Sequence, residues 1–260
     1  MIKMQDNAEN NDAGRAVRLQ VALAHAGVAS RRHAEEIIRD GRVKVNGKTI
    51  TDMGVKVDAA RDQIEVDGVA IAHGRERTRT IMLNKPIGFL SAASDQHGGR
   101  VVVELLKGVR ERLVPVGRLD KDSCGLLLMS NDGDLIQRIT HPRYEHTKEY
   151  EVTVLGRVGK RELAMLRGRM EIDGYLIRNC EVELLKAGED SAELRFVLHE
   201  GRNRQIRKMC AKAGLRVASL RRVAVGDLRL GDLADGKWRE LDVAEIRKAL
   251  QPAKATTRRA

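Results

Sequence analysis

The chain has 260 residues, 42% of them hydrophobic but only 2% aromatic, so it can bury a core and that core must be aliphatic. Its 48 Lys and Arg against 37 Asp and Glu leave a formal charge of +11, which fits a polyanionic partner, either a nucleic acid or an acidic membrane surface. No apolar run reaches the length of a membrane span, the stretch MIKMQDNAENNDAG lacks the apolar segment of a signal peptide, and Cys124, Cys180 and Cys210 form no CxxC pair, so a cytoplasmic protein without a disulfide or zinc framework is expected.

Residues 1–15 are polar and are expected to form a disordered tail. Leu19, Ala22, Leu23 and Ala26 then fall at helical spacing, with Gly27 at the end. Ser30 suits the N-cap of a second helix running to about Arg39, with Ala34, Ile37 and Ile38 inward and Gly41 beyond its end. Arg31 and Arg32 sit in its first turn, where positive charge opposes the helix dipole. Local stability does not account for them. Gripping a phosphate together with the backbone donors does, and two solvated arginines are the plain alternative. Asn46-Gly47 and Asp67-Gly68, each between short β-rich runs, suit the primed turns of tight hairpins. Together these elements predict a small α+β module over residues 16–73. The charged run 74–80, GRERTRT, has no apolar periodicity and reads as a linker.

A second domain, 81–252, opens on the apolar strand Ile81–Leu83, followed by Asn84-Lys85-Pro86, where proline ends ladder pairing. Two further strand-like runs, Leu113–Val116 and Gly125–Met129, flank one short charged connection that holds Arg118, Leu119 and Asp120. Such a connection lies at the rim of a sheet, where side chains can face a cleft. From the pattern alone, Asp120 reads as a turn aspartate bonded to its own backbone. Asn131 or Asp132 caps a short helix through Ile139, with Pro142 beyond it. Lys148–Leu155 is strand-like, with Tyr150, Val152 and Val154 on one face. A helix at 159–168 and further strands, including Ala192–Leu198, follow. Asn203–Ala213 reads as a helix with Ile206, Met209, Cys210 and Ala213 inward. Arg207 lies roughly 110° from the centre of that stripe, a flank position from which it can reach a carboxylate or snorkel over the core. Strands over Val217–Leu230, a helix over Asp242–Leu250 and a basic tail, 253–260, complete the chain. Asp120, Asp122, Asp132 and Asp134 do not match the spacing of a calcium loop.

The run GRLDKDSCGLLLMSNDG around Asp120 resembles the catalytic motif of the RNA pseudouridine synthases, in the branch that modifies ribosomal RNA. AGVASRRHAEEIIRDGRVKVNGK resembles the small RNA-binding module named after a small-subunit ribosomal protein. LNKPIGFLS, HEGRNRQIRKM and GKWRELD carry the likeness on through the second domain, so that it covers Arg18 to about Leu241. The fold expected is α+β: the small module, then a synthase domain with a mixed, largely antiparallel sheet, helices against it and a central cleft. The resemblance implies an isomerase that converts a uridine of ribosomal RNA to pseudouridine, with large-subunit RNA the expected target and small-subunit RNA the alternative. No atoms enter or leave overall, so no cofactor and no metal are expected, and a monomer is the default.

The same resemblance implies roles for particular residues. Asp120 is the catalytic residue, and Tyr150 lies against the target base. Arg207 pairs with Asp120 and keeps it ionised. Arg118 helps displace the base, and Asp122 has no part in the motif. RNA contacts are expected from Arg31, Arg32, Arg42 and Lys44 in the module and from Lys85 near the cleft, a surface lysine being the plain alternative for the last. A ribosome-assembly factor that binds RNA without catalysis is the competing reading. A zinc-dependent base deaminase needs closely spaced Cys and His ligands, which the sequence lacks.

Overall fold

The computed structural model describes residues 16–58, 61–71, 77–95 and 97–251. The tails expected at 1–15 and 253–260, and residues 74–76 of the expected linker, lie outside the described residues. The chain divides into two compact units, 1–78 and 79–260.

The first unit holds β1 (Val17–Arg18), α1 (Leu19–His25), α2 (Arg31–Arg39), β2 (Val43–Val45), β3 (Lys48–Ile50), β4 (Lys56–Val57), β5 (Ile64–Val66) and β6 (Val69–Ala70). Ser30 caps α2 as expected, its hydroxyl accepting from His33 N at 3.1 Å. Ala34, Ile37 and Ile38 pack with Leu19, Leu23 and Val43 in an aliphatic core. The strands β3-β2-β5-β6 form an antiparallel sheet. Its hairpin turns carry positive φ at both central residues, 51° and 77° at Asn46-Gly47 and 51° and 78° at Asp67-Gly68. That pairing is what a primed turn demands and what Asn-Gly and Asp-Gly supply. Arg31, Arg32 and Lys44 are exposed. Arg42, also expected to contact RNA, is exposed as well. Its guanidinium forks onto the turn residue Asp67, Nε to Oδ1 at 2.8 Å and Nη2 to Oδ2 at 2.6 Å, and so clamps the hairpin.

The second unit holds β7 (Thr80–Lys85), β8 (Val114–Val116), β9 (Cys124–Ser130), α3 (Gly133–Thr140), β10 (Lys148–Leu155), α4 (Lys160–Arg167), β11 (Glu171–Ile172), β12 (Tyr175–Leu176), β13 (Glu181–Ala187), β14 (Ser191–Leu198), α5 (Gln205–Lys212), β15 (Arg216–Val225), β16 (Leu228–Arg229), β17 (Trp238–Glu240) and α6 (Val243–Ala249). The main sheet runs β13-β14-β10-β15-β9-β7-β17, with β8 also on β9 and β16 also on β15. Every pairing in it is antiparallel except β9 with β15, which meet in parallel through Cys124↔Arg221 and Gly125↔Arg222. The sheet is therefore mixed and largely antiparallel, as expected.

Both faces of β9 are covered, which is why it reads as an unbroken apolar run. Leu127 and Met129 join one core with Ile81, Leu83, Val152 and Phe196, whereas Leu126 and Leu128 join another with Met82, Val225 and the α3 residues Leu135 and Ile139. Two expected boundaries move. Thr80 is the first residue of β7, and Arg79 donates from its backbone to Asn131 Oδ1 at 2.7 Å and pairs with Glu111, so 79 and 80 belong to this unit rather than to a linker. Helix α5 starts at Gln205, not Asn203, because Arg204 has φ 52° in the left-handed region. No helix among the described residues is long and apolar enough to cross a membrane.

Candidate active site

Strand β8 ends at Val116, and Gly117, with φ 79°, turns the chain into a loop that reaches β9 at Cys124. This loop is held by the segment after β7. Ser91 Oγ donates to Leu119 O at 2.8 Å and accepts from Leu119 N at 3.0 Å. Gly88 N donates to Lys121 O at 2.8 Å. Lys85 is fully buried, and its Nζ donates to Pro86 O at 3.1 Å, Asp120 O at 3.1 Å and Ser123 O at 2.7 Å. Both sequence readings of Lys85, RNA contact and surface lysine, are thereby corrected. The residue is an internal rivet that fixes the backbone carrying Asp120. The Asp120 carboxylate itself stays about one-third exposed, at 33%.

Three carbonyl acceptors match the three N–H bonds of an ammonium, while burial pushes the Lys85 pKa down to about 8. Lys85→Met removes all three donors and is expected to lower turnover at least about tenfold by freeing the loop. The stability gap between wild type and this variant also changes with pH. Folded Lys85 releases its proton near 8, whereas the unfolded chain keeps it towards 10.5. Wild type therefore binds fewer protons folded than unfolded across that window, and its stability gains on the variant as pH rises. Urea midpoints of both proteins at about pH 7 and about pH 9 check the sign. A constant gap sinks the assignment.

Asp120 faces a cleft of about 530 Å³ whose walls include Tyr150, Arg118, Arg204, Arg207 and Arg222. Tyr150 lies on β10 between Phe196 of β14 and Arg222 of β15. This tyrosine is only 8% exposed and joins the larger core, yet it also lines the cleft. Arg118 is exposed at the mouth of the loop. Arg222 is buried at 4%, and its guanidinium donates to Leu126 O at 2.8 Å and Arg118 O at 3.4 Å, so it braces β9 and the loop from the parallel joint.

The expected pairing of Arg207 with Asp120 is not what the structure contains. Arg207 Nη2 donates to the backbone oxygen of Asp122 at 2.7 Å, and its Nε stands 3.3 Å from Asp122 Oδ2. Arg204 takes the same carboxylate in a fork, Nη1 to Oδ1 at 3.0 Å and Nη2 to Oδ2 at 2.9 Å, and also lies 3.9 Å from Asp120 Oδ2. The Arg204 hydrogen bonds and then the Arg207 charge hold the Asp122 carboxyl below the usual range, against partial burial. Asp122, to which the sequence reading gave no part, is thus the hub of two arginines, and Arg204 is the ion-pair partner of Asp120. Arg204 and Arg207 stand three apart at the start of a helix, a spacing that puts both on one side and is visible in the sequence. The left-handed backbone that aims Arg204 is not.

Among the described residues, no group of three or more His, Cys, Asp or Glu is placed to hold a metal ion. Residues 79–212 match the family described as RNA pseudouridylate synthase, and residues 17–64 match the S4 domain. The chain is 41% identical over 233 residues to the ribosomal large subunit pseudouridine synthase B of Bacillus subtilis, covering 89% of this chain and 94% of that protein. It is 39% identical over 231 residues to an uncharacterized RNA pseudouridine synthase of Aquifex aeolicus, covering 88% and 92%. A crystal structure of a pseudouridylate synthase superposes with a TM-score of 0.65 at 28% identity, over 90% of this chain and 99% of the other.

Proposed function

This chain belongs to the RNA pseudouridine synthases, enzymes that isomerise uridine to pseudouridine in RNA, and from that premise we propose that it modifies a uridine of large-subunit ribosomal RNA, as a monomer and without a cofactor. The near full-length likeness to the Bacillus subtilis enzyme supports the choice of RNA. The S4 domain and the charge of +11 support a structured RNA as the ligand. In that domain the exposed Arg31, Arg32 and Lys44 are the phosphate contacts we propose.

The reaction breaks the bond from uracil N1 to ribose C1′ and forms one from C5 to C1′. N1 gains a proton and C5 releases one to water, so no atoms or electrons are added or lost beyond that exchange. One observation carries the assignment of residues: Asp120 and Tyr150 face the same cleft, on a loop and a strand that are both held from behind. Asp120 is the catalytic carboxylate in this reading, and the Arg204 guanidinium stands 3.9 Å from its Oδ2. The Tyr150 ring stacks on the flipped uracil and holds it as it turns. Arg118, exposed at the mouth, fills the space the base leaves. Arg207 acts one step back, by fixing Asp122 and the loop that holds Asp120.

Tritium release from RNA labelled at uridine C5 tests the whole reading. Unmodified large-subunit RNA should release label, and small-subunit RNA should not. Release from the small-subunit RNA instead would reverse the choice of substrate. On the productive RNA, Tyr150→Phe keeps the ring and is expected to stay within about tenfold of wild type, whereas Tyr150→Ala is expected to lose about a hundredfold or more. Full activity in Tyr150→Ala would remove the stacking role.

A further inference from the structure

We propose that Tyr175, backed by Arg202, is a stacking platform for an unpaired nucleobase that neighbours the target uridine. The proposal rests on the reading of the cleft as an RNA site. Five of the six Phe, Tyr and Trp rings are buried or half-buried, and Tyr175 is the exposed one, at 37%. It sits just past the tip of the β11–β12 hairpin, after the turn residues Asp173 and Gly174 with φ 52° and 74°. The hairpin is rigidly based. Ile172 and Ile177 anchor it in the core at 3% and 4% exposure. From α5, Lys208 pairs with the Asp173 carboxylate, and Lys212 donates to Glu171 O. The helix that presents Arg204 and Arg207 to the cleft therefore also fixes the tyrosine.

Tyr175, Arg178 and Arg202 line the cleft that holds Asp120 and Tyr150. The Arg202 guanidinium carbon stands 3.0 Å from the Tyr175 ring centroid, so one face of the ring carries a cation. Arg202 also has the Glu200 carboxylate at 3.7 Å, which offsets its charge and favours a role in holding the ring over one in gripping phosphate. A solvated hairpin tyrosine is the plain alternative. Flipping one base out of a strand leaves its neighbour without a stacking partner. An exposed ring on a fixed base beside the target site supplies one, and every base has a face to offer it.

Stacking and phosphate contact differ in their response to salt, and that difference decides the matter. The probe is unmodified large-subunit ribosomal RNA, used in filter binding across a salt series and in steady-state tritium release. Tyr175→Ala is expected to weaken binding and raise KM about tenfold, with kcat changed less than about twofold and the salt slope unchanged. Tyr175→Phe, which keeps the ring, is expected to stay within about twofold of wild type in KM. Unchanged affinity in Tyr175→Ala overturns the platform. So does Tyr175→Phe as weak as Tyr175→Ala, which would assign the role to the hydroxyl, and so does a loss of affinity that vanishes as salt rises. If wild type releases no tritium from this RNA, the substrate assignment falls, while the salt-resolved affinities still decide whether Tyr175 stacks.

Discussion

Asp120→Ala is expected to abolish tritium release, a loss of at least about a thousandfold, while the affinity for ribosomal RNA changes less than about threefold. The split follows from where the side chain stands. The loop is fixed by its backbone, through Lys85 on the oxygens of Asp120 and Ser123, Ser91 on Leu119 and Gly88 on Lys121. None of these bonds uses the Asp120 carboxylate. That carboxylate is partly exposed, and Arg204, its ion-pair partner at 3.9 Å, keeps the stronger fork to Asp122 when it is gone. Truncation therefore costs folding within about 0.5 kcal/mol, and the charged walls that attract RNA remain. Single-turnover release and filter binding on the same preparation separate the two effects. Equal losses of binding and turnover would mean that Asp120 holds RNA without acting on it. Retained turnover would move the chemistry to another residue of the cleft.

Asp122→Ala is a useful contrast, since it removes the hub and not the proposed catalyst. It strands two arginines, one of them only 15% exposed in its side chain, and so disturbs the loop's geometry before its chemistry.

What the sequence made legible was local. Asn46-Gly47 and Asp67-Gly68 dictate their own turns, Ser30 and Asp132 cap their own helices, and the apolar run of β9 needs no partner to be seen. The small module and the order of the domains followed from such signals together with the family likeness. What stayed hidden depends on contacts distant in the chain. Lys85 reads as a polar residue beside a proline until carbonyls 35 and 38 residues away close around its ammonium. Arg222 reads as one more cation in a basic strand, although it is buried against Leu126 O, 96 residues away. The exchange of Asp120 for Asp122 as partner of Arg207 turns on the direction in which two nearby carboxylates leave one loop, and no spacing rule fixes that. Family likeness could point to a pair of residues, but it could not say which oxygen the Arg207 guanidinium holds.

Gly125→Ala is expected to destabilise the second unit by about 3–5 kcal/mol, lowering its Tm on the order of 10 °C. Gly125 has φ 104°, a conformation that strains any L side chain. It also lies against the backbone of Arg222, so that an added Cβ would stand 2.3 Å from Arg222 O and 2.8 Å from Arg222 N. Those atoms belong to a strand and cannot swing aside. The position matters more than the clash, because the parallel ladder between β9 and β15 is just two residue pairs long, Cys124↔Arg221 and Gly125↔Arg222. One half of the sheet, β13-β14-β10-β15, carries Tyr150, and the other, β9-β7-β17, carries the loop of Asp120 through its strand β9. Forcing the two apart costs stability and also moves the Tyr150 ring relative to the Asp120 carboxylate, so turnover should fall further than the melting point implies. Gly201→Ala is the control for stability: its φ is ordinary, and nothing lies within 4 Å of an added Cβ. Its Tm is expected within about 2 °C of wild type. A Gly125→Ala protein that melts with the control would mean that the parallel joint yields, and that the alignment of Tyr150 with Asp120 does not depend on the contact of these two strands.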